Sequence, residues 1–279
     1  MRTKIKEVNG IDWGEGAVMN CAWTGVRLVD LLSHVFGSQL ADLSLEQRRS
    51  KHVAFACRSV ATQDDDWYGS SIVLERALHR DADVLLAFQQ NHLPLTPEHG
   101  SPVRLIVPGI AGARSVKWLD SITIQDHECQ NFYMQRDYKI LPPQAEDTEQ
   151  AKEWWDKVEP LMEMPVNSVV VADQTMERDA EGLVEVGGYA LPGGDGGPVV
   201  KVEVRVDDGE WVEVQTLQQG GGKWAWVLWR WKGEVESGKH TIWSRATDYA
   251  GHRQDCERSE WNLRGIAYNG YGEAEVEVV

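Results

Sequence analysis

Between His99 and Lys117 the chain carries His99, Arg104, Arg114 and Lys117 and no carboxylate, although the whole sequence has 28 Lys and Arg against 44 Asp and Glu. Such a local reversal of sign calls for a chemical reason. Val103 to Val107 reads as a short buried strand, Pro108-Gly109 turns the chain, and Gly112 permits close backbone approach by something bulky. Arg104, Arg114 and Lys117 are then expected around one turn, with exposed N–H groups between them. Planar guanidinium forks and free amides match phosphate oxygens, so the cluster suits an anion carrying phosphate. The same spacing also fits a basic loop paired with surface carboxylates.

The elements that must hold this stretch can be read on either side of it. Thr24 is placed to cap a helix whose apolar residues Val26, Leu28, Leu31, Leu32 and Val35 recur at helical spacing, with Gly37 ending it. Lys51 to Cys57 reads as a strand, and Thr62 to Ser71 as a loop of carboxylates and aromatics. A helix through Ile72, Leu74 and Leu78 is expected next, then a strand centred on Val84 to Phe88. Asn91-His92 forms a turn, because Asn and His tolerate the left-handed conformation better than most residues. Ser121 to Gln125 is a half-buried strand with Ile122 and Ile124 on one face, and Asp147 to Val158 a short acidic helix displaying Trp154 and Trp155.

From Met164 onward the pattern is all β. Val199 to Val206 alternates strictly, Asp207-Asp-Gly209 gives a hairpin turn, and Trp211 to Gln215 returns. Trp224 to Trp231 and His240 to Thr247 repeat that logic at the spacing of a β-sandwich. Of 13 tryptophans, six fall between Trp211 and Trp243, where they are expected to form sandwich core or a subunit contact. The expected class is α+β: a mixed α/β domain over residues 1–140, a linker over 141–164 and an immunoglobulin-like sandwich over 165–279.

Composition narrows the partners. A formal net charge of −16 argues against nucleic acid or an anionic membrane as the general partner, whereas a small anion can bind where cations are concentrated. Cys21, Cys57, Cys129 and Cys256 stand far apart with no C-x-x-C pair, so they read as reduced thiols, with Cys21 a buried structural one. No apolar run approaches the ~18 residues of a membrane helix, and Met1-Arg-Thr-Lys-Ile-Lys6 lacks a secretory apolar segment. The expectation is a soluble intracellular protein, in the cytoplasm or in an organelle such as the mitochondrion or peroxisome.

Four ordered motifs now connect. His99-Gly-x-Pro-Val-Arg104, Val107-Pro-Gly-Ile-Ala-Gly-Ala-Arg-x-Val-Lys-Trp-Leu119, Gln135-Arg-Asp-Tyr-Lys139 and Trp261-Asn-Leu-Arg-Gly265 resemble the eukaryotic sulfite oxidase and assimilatory nitrate reductase family of molybdenum enzymes. The resemblance runs almost end to end. It implies a molybdopterin-binding catalytic domain followed by a dimerisation domain, with a homodimer formed through residues 165–279. It further implies that His99, Arg104, Ser115, Val116 and Lys117 contact the pterin and its phosphate, and that Tyr68 lies beside the oxyanion as a catalytic hydrogen-bond donor. Arg2 matches the last arginine of the family's Cys-x-Gly-Asn-Arg-Arg motif, and Trp13 a tryptophan lining the substrate pocket.

The departures matter equally. The chain as written starts inside that motif, so the resemblance implies a truncated amino terminus, with the molybdenum-ligating cysteine upstream of Met1 and no metal ligand among the four cysteines. Asn9 stands where animal members have a lysine, and Val227 where some have an arginine. No haem or flavin domain is recognised, which leaves the electron acceptor open. The function implied is oxygen-atom transfer to or from a small oxyanion, first of all oxidation of sulfite to sulfate. The alternatives are a catalytically dead dimer-forming relative and a nitrate reductase-type activity. As written, the chain is expected to be weakly active or inactive and poorly soluble.

Overall fold

The computed structural model describes residues 5–11, 14–217 and 222–279. The chain forms two compact units, Cys21–Met162 and a second that joins the described part of Met1–Asn20 to Glu163–Val279. The stretch 141–162, expected as a linker, therefore folds with the first unit, where Leu141, Ala145, Ala151 and Leu161 are buried. Among the described residues no helix is long and apolar enough to cross a membrane.

In the first unit β1 (Trp23–Arg27) leads directly into α1 (Leu28–Phe36), followed by α2 (Ser38–Ala41), α3 (Leu45–Ser50), β2 (His52–Cys57), β3 (Tyr68–Val73) and α4 (Leu74–Leu78). Then come β4 (Leu85–Gln90), β5 (Leu93–Pro94), β6 (Arg104–Ile106), β7 (Ser121–Gln125) and α5 (Thr148–Ala151). One sheet runs β1-β4-β5 with β6 also on β4, and a second runs β3-β2-β7. Phe55, Ile72, Leu74, Leu105 and Val116 fill the core between these elements.

Three local expectations change. The helix does not begin at Thr24: residues 23–27 pair with β4, and a Cβ on Gly25 would lie 2.0 Å from the Leu86 carbonyl oxygen, so only glycine admits that approach. Gly37 does end α1, at φ +51° with its N–H on the Ser33 carbonyl. Tyr68 to Val73 is a strand rather than loop and helix, because β-branched Ile72 pairs with Val53 inside the core. The acidic helix shortens to α5, capped by the Asp147 carboxylate on the Glu149 and Gln150 amides, and continues as turns.

The second unit is the expected sandwich. Its strands are β8 (Asn167–Val171), β9 (Thr175–Met176), β10 (Val184–Leu191), β11 (Val199–Val206), β12 (Val212–Glu213), β13 (Gln215–Thr216), β14 (Val227–Gly233), β15 (Gly238–Asp248) and β16 (Gly272–Val278). Sheet β13-β14-β10-β8 faces β12-β11-β15-β16-β9 across Val202, Val204, Ile242, Ala246 and the fully buried Trp229. Gly188 is bare for that indole, since a Cβ there would lie 2.3 Å from the ring. Trp211 and Trp243 instead stack on the Arg205 guanidinium, 5.0 and 5.4 Å from their centroids.

Candidate functional site

Strand β6 places Arg104 opposite Ala87 of β4. The chain then turns and comes back alongside: the Leu105 amide donates to the Val116 carbonyl, the Val107 amide to the Ser115 hydroxyl and the Leu119 amide to the Val103 carbonyl. That return brings Ser115, Val116 and Lys117 beside Arg104. Ahead of β6, Pro97–His99 forms a single 3₁₀ turn ended by Gly100 at φ +99°. A Cβ on Gly100 would lie 2.9 Å from the Lys117 Cβ, so the absence of a side chain lets Lys117 pack onto the turn that carries His99. The structure thus assembles His99, Arg104, Ser115 and Lys117 in one place.

The electrostatics of this cluster are unusual. Arg104 is only 8% exposed, and burial pushes its guanidinium below the ordinary arginine value. Its fork donates to the His99 carbonyl at 3.1 Å and, weakly, to the Ser115 carbonyl at 3.4 Å, while Nε has no partner. The Trp23 ring stands 5.0 Å from it. Among the described residues no carboxylate pairs with Arg104 or Lys117; the Lys117 ammonium rests on the Glu98 carbonyl at 2.8 Å. The basic-loop reading, in which these cations meet surface carboxylates, therefore fails at Arg104; Lys117 makes no ion pair but still feels the Glu98 carboxylate of the same turn. A buried, uncompensated guanidinium with a spare donor is what an anionic group needs. His99 holds Nδ1 against the Thr96 hydroxyl at 2.8 Å. Val116 is fully buried, so its side chain packs in the core and only its main chain borders the cluster.

Arg114 does not join them. It is 0% exposed, and its three nitrogens donate to the carbonyls of Leu161, Tyr133 and Tyr138 at 3.1, 2.8 and 2.9 Å. The guanidinium fork satisfies main-chain acceptors around the π-helical turn Tyr133–Asp137, which corrects its expected place in the anion cluster.

Tyr68 opens β3 and sends its phenol to the Ala113 carbonyl at 2.6 Å, within the 3₁₀ turn Gly112–Arg114 that precedes Ser115. The Tyr133 ring lies 5.0 Å away. Burial, and then the neighbouring Tyr138, push the phenol far above the ordinary tyrosine value, so it is a neutral donor and not a base. Gly112 has open space where a side chain would stand.

Arg2 and Trp13 lie outside the described residues. Asn9 is exposed and gives its amide to the Leu263 carbonyl at 2.7 Å, and Val227 packs on the sandwich core. Cys21 is half-buried rather than buried, with the Gln90 amide donating to its sulfur at 3.0 Å. Trp23 escaped the sequence reading, since its partner Arg104 is reached only through the pairing of β1, β4 and β6. Among the described residues no group of three or more His, Cys, Asp or Glu could hold a metal ion.

Comparison with known proteins follows this division. A family model described as the oxidoreductase molybdopterin binding domain matches residues 1–133, and one for the Mo-co oxidoreductase dimerisation domain matches residues 158–279. Sulfite oxidase of Arabidopsis thaliana is 36% identical over 282 residues, covering 95% of this chain and 69% of that protein. The chain belongs to the sulfite oxidase family. Mitochondrial sulfite oxidase of Homo sapiens is 36% identical over 99% of this chain, which spans 50% of that protein. A nitrate reductase of Volvox carteri is 35% identical over 81% of this chain and 27% of its own length. The sulfane dehydrogenase SoxCD of Paracoccus pantotrophus shares the fold, with a TM-score of 0.68 at 24% identity over 91% of this chain and 59% of its own. The family is one of molybdenum oxidoreductases, and the expected class, an α+β domain followed by a sandwich, agrees with the two matched domain models.

Proposed function

We propose that this chain is a molybdenum-cofactor oxidoreductase that moves an oxygen atom to or from a small oxyanion, with sulfite as the substrate oxidised. The observation that carries the reading is Arg104: a buried guanidinium with no carboxylate partner, a spare Nε and Lys117 and His99 beside it. These residues fit an anionic pterin. Arg104 and Lys117 compensate the charge of its phosphate end, His99 and the Ser115 hydroxyl offer polar contacts, and the main chain at Val116 borders it. Open space at Gly112 leaves room along the turn.

When bound, the molybdenum group supplies two-electron oxygen-atom chemistry. The chain's own residues hold and orient. Tyr68 keeps its proton and, by giving it to the Ala113 carbonyl, fixes the Gly112–Arg114 turn; to serve an oxyanion its single O–H would turn from that carbonyl to the ligand. Arg2 and Trp13 are proposed to line the oxyanion's pocket. Residues 165–279 are proposed to join two copies, which matches the family model for dimerisation over this region.

The test is a single-turnover experiment on protein purified with its cofactor. Sulfite is expected to reduce the bound centre, and sulfate to form in equal amount. A loaded protein whose spectrum sulfite leaves unchanged contradicts the proposal. Nitrate reduction is the second reading, favoured by the similarity to the Volvox carteri enzyme. It predicts that nitrate reoxidises the reduced centre, and it fails if only an artificial acceptor does so.

A further inference from the structure

Trp118 follows Lys117 directly and is held at φ +51°. Left-handed backbone is uncommon for any residue with a side chain, and for a bulky aromatic it is an outlier that needs the surroundings to enforce it. Burial is not the return, because the residue is 39% exposed. What the conformation achieves is local. It turns the indole back so that its N–H donates to the Pro97 carbonyl at 2.8 Å and its face lies 4.6 Å under the Lys117 ammonium. Lys117 reaches the next carbonyl, that of Glu98, at 2.8 Å. Both bonds land on the turn that ends in His99, and Leu119 is already returned to the Val103 carbonyl at 2.9 Å.

We infer that Trp118 is a positioning residue: its strained backbone clamps the Pro97–His99 turn to Lys117, so that His99 and Lys117 are set at a fixed separation for the pterin. This inference rests on the reading of the site given above. Its polar contacts are the Pro97 carbonyl and the Lys117 ammonium. Backbone strain of this kind collects where a site must be preorganised, and here its two beneficiaries are both proposed cofactor contacts.

Two variants separate positioning from folding. Trp118→Asn accepts the left-handed backbone but removes the clamp, and Trp118→Phe keeps a ring beneath Lys117 but loses the N–H. Each is purified with cofactor, and three quantities are read: the rate of pterin release, the melting temperature, and amide exchange at His99, whose N–H is on the Thr96 carbonyl. Trp118→Asn is expected to melt no lower than the native protein, while pterin release and His99 exchange each quicken by about tenfold, the size of effect a lost hydrogen bond gives. Trp118→Phe is expected between the two.

Release and exchange at the native rate in both variants overturn the inference. So does a gain in release matched by an equal loss of thermal stability, which marks a merely structural residue. If Trp118→Asn does not fold, Trp118→Phe decides on the same readings. If native protein made in a cofactor-producing host retains no pterin, the reading of the site falls and this inference with it. Native retention that the variants leave intact removes only the clamp.

Discussion

The Tyr68 hydroxyl donates a 2.6 Å hydrogen bond to the Ala113 carbonyl, tying the first residue of a core strand to the turn that leads into Ser115 and Lys117. The bond makes the phenol a structural tie, and its one O–H reaches an oxyanion only by leaving the Ala113 carbonyl. Because the phenol is pushed far above its ordinary value, it stays protonated throughout the working range. Tyr68→Phe is expected to cost about 0.5–1.5 kcal/mol of stability and to lower kcat/KM for sulfite. The pH–rate profiles of the two proteins should differ in height and not in shape. A profile whose basic limb vanishes in Tyr68→Phe would show that the phenol titrates, against this account.

Arg114 is fully buried on three main-chain carbonyls. Arg114→Met leaves those acceptors without donors and is expected to cost about 3–5 kcal/mol, read as the shift of the urea midpoint of the Cys21–Met162 unit. Arg114→Lys should recover only part, since one ammonium cannot reach three diverging carbonyls as the fork does. A Met variant as stable as the native chain would contradict the assignment.

Gly100 combines φ +99° with contact against Lys117. In Gly100→Ala the methyl meets the Lys117 Cβ, and the backbone is strained besides. Pterin retention is expected to fall, with a loss of more than about 1 kcal/mol in stability. Equal retention by the alanine variant would mean that His99 and Lys117 need not be packed together.

In the sandwich, His240 donates from Nδ1 to the Asp207 carboxylate at 2.7 Å and meets the Glu236 carbonyl through Nε2 at 2.9 Å. Acceptors on both sides favour the charged ring, and the bond to Asp207 raises its pKa. Burial works against the Asp207 carboxyl, yet the Thr241 amide and His240 hold it below its ordinary value. A raised histidine contributes stability that is complete below its unfolded pKa and fades as pH rises through the folded value. A lowered aspartate contributes above its unfolded pKa and fades in acid. The pair is therefore strongest between about pH 4 and 6.5. His240→Gln should lower the melting temperature of the sandwich most in that window, and the gap between variant and native should narrow toward pH 9. A gap that widens with pH would mean that the histidine is not held in its charged form by Asp207.

The sandwich was legible because residues 200–206 alternate Val with charged residues, which gives β11 and turns Val202 and Val204 inward, whereas the irregularity that buries Val199 and exposes Val200 has no such signature. The anion cluster was legible because a long stretch without carboxylates is improbable in so acidic a chain. Arg114 was not, since its partners are carbonyls of residues 133, 138 and 161, which no side-chain pattern announces. The same blindness to distant backbone hid the strand at residues 23–27: apolar spacing there suits a helix, and only the approach of Leu86 to Gly25 shows otherwise. The clamp at Trp118 was hidden too, because a positive φ on tryptophan has no sequence signature.

Arg104 as an anion receptor, rather than a packed arginine, is the central claim. The direct measurement is the molybdenum and pterin content of native protein and of Arg104→Met, both made in a host that synthesises the cofactor. Methionine keeps much of the side chain's volume without its charge, so the fold should persist as judged by circular dichroism. The prediction is that native protein carries both components in equal amounts and that Arg104→Met, still folded, has lost most of each. A folded Arg104→Met that holds as much pterin as the native chain would contradict the account at its centre.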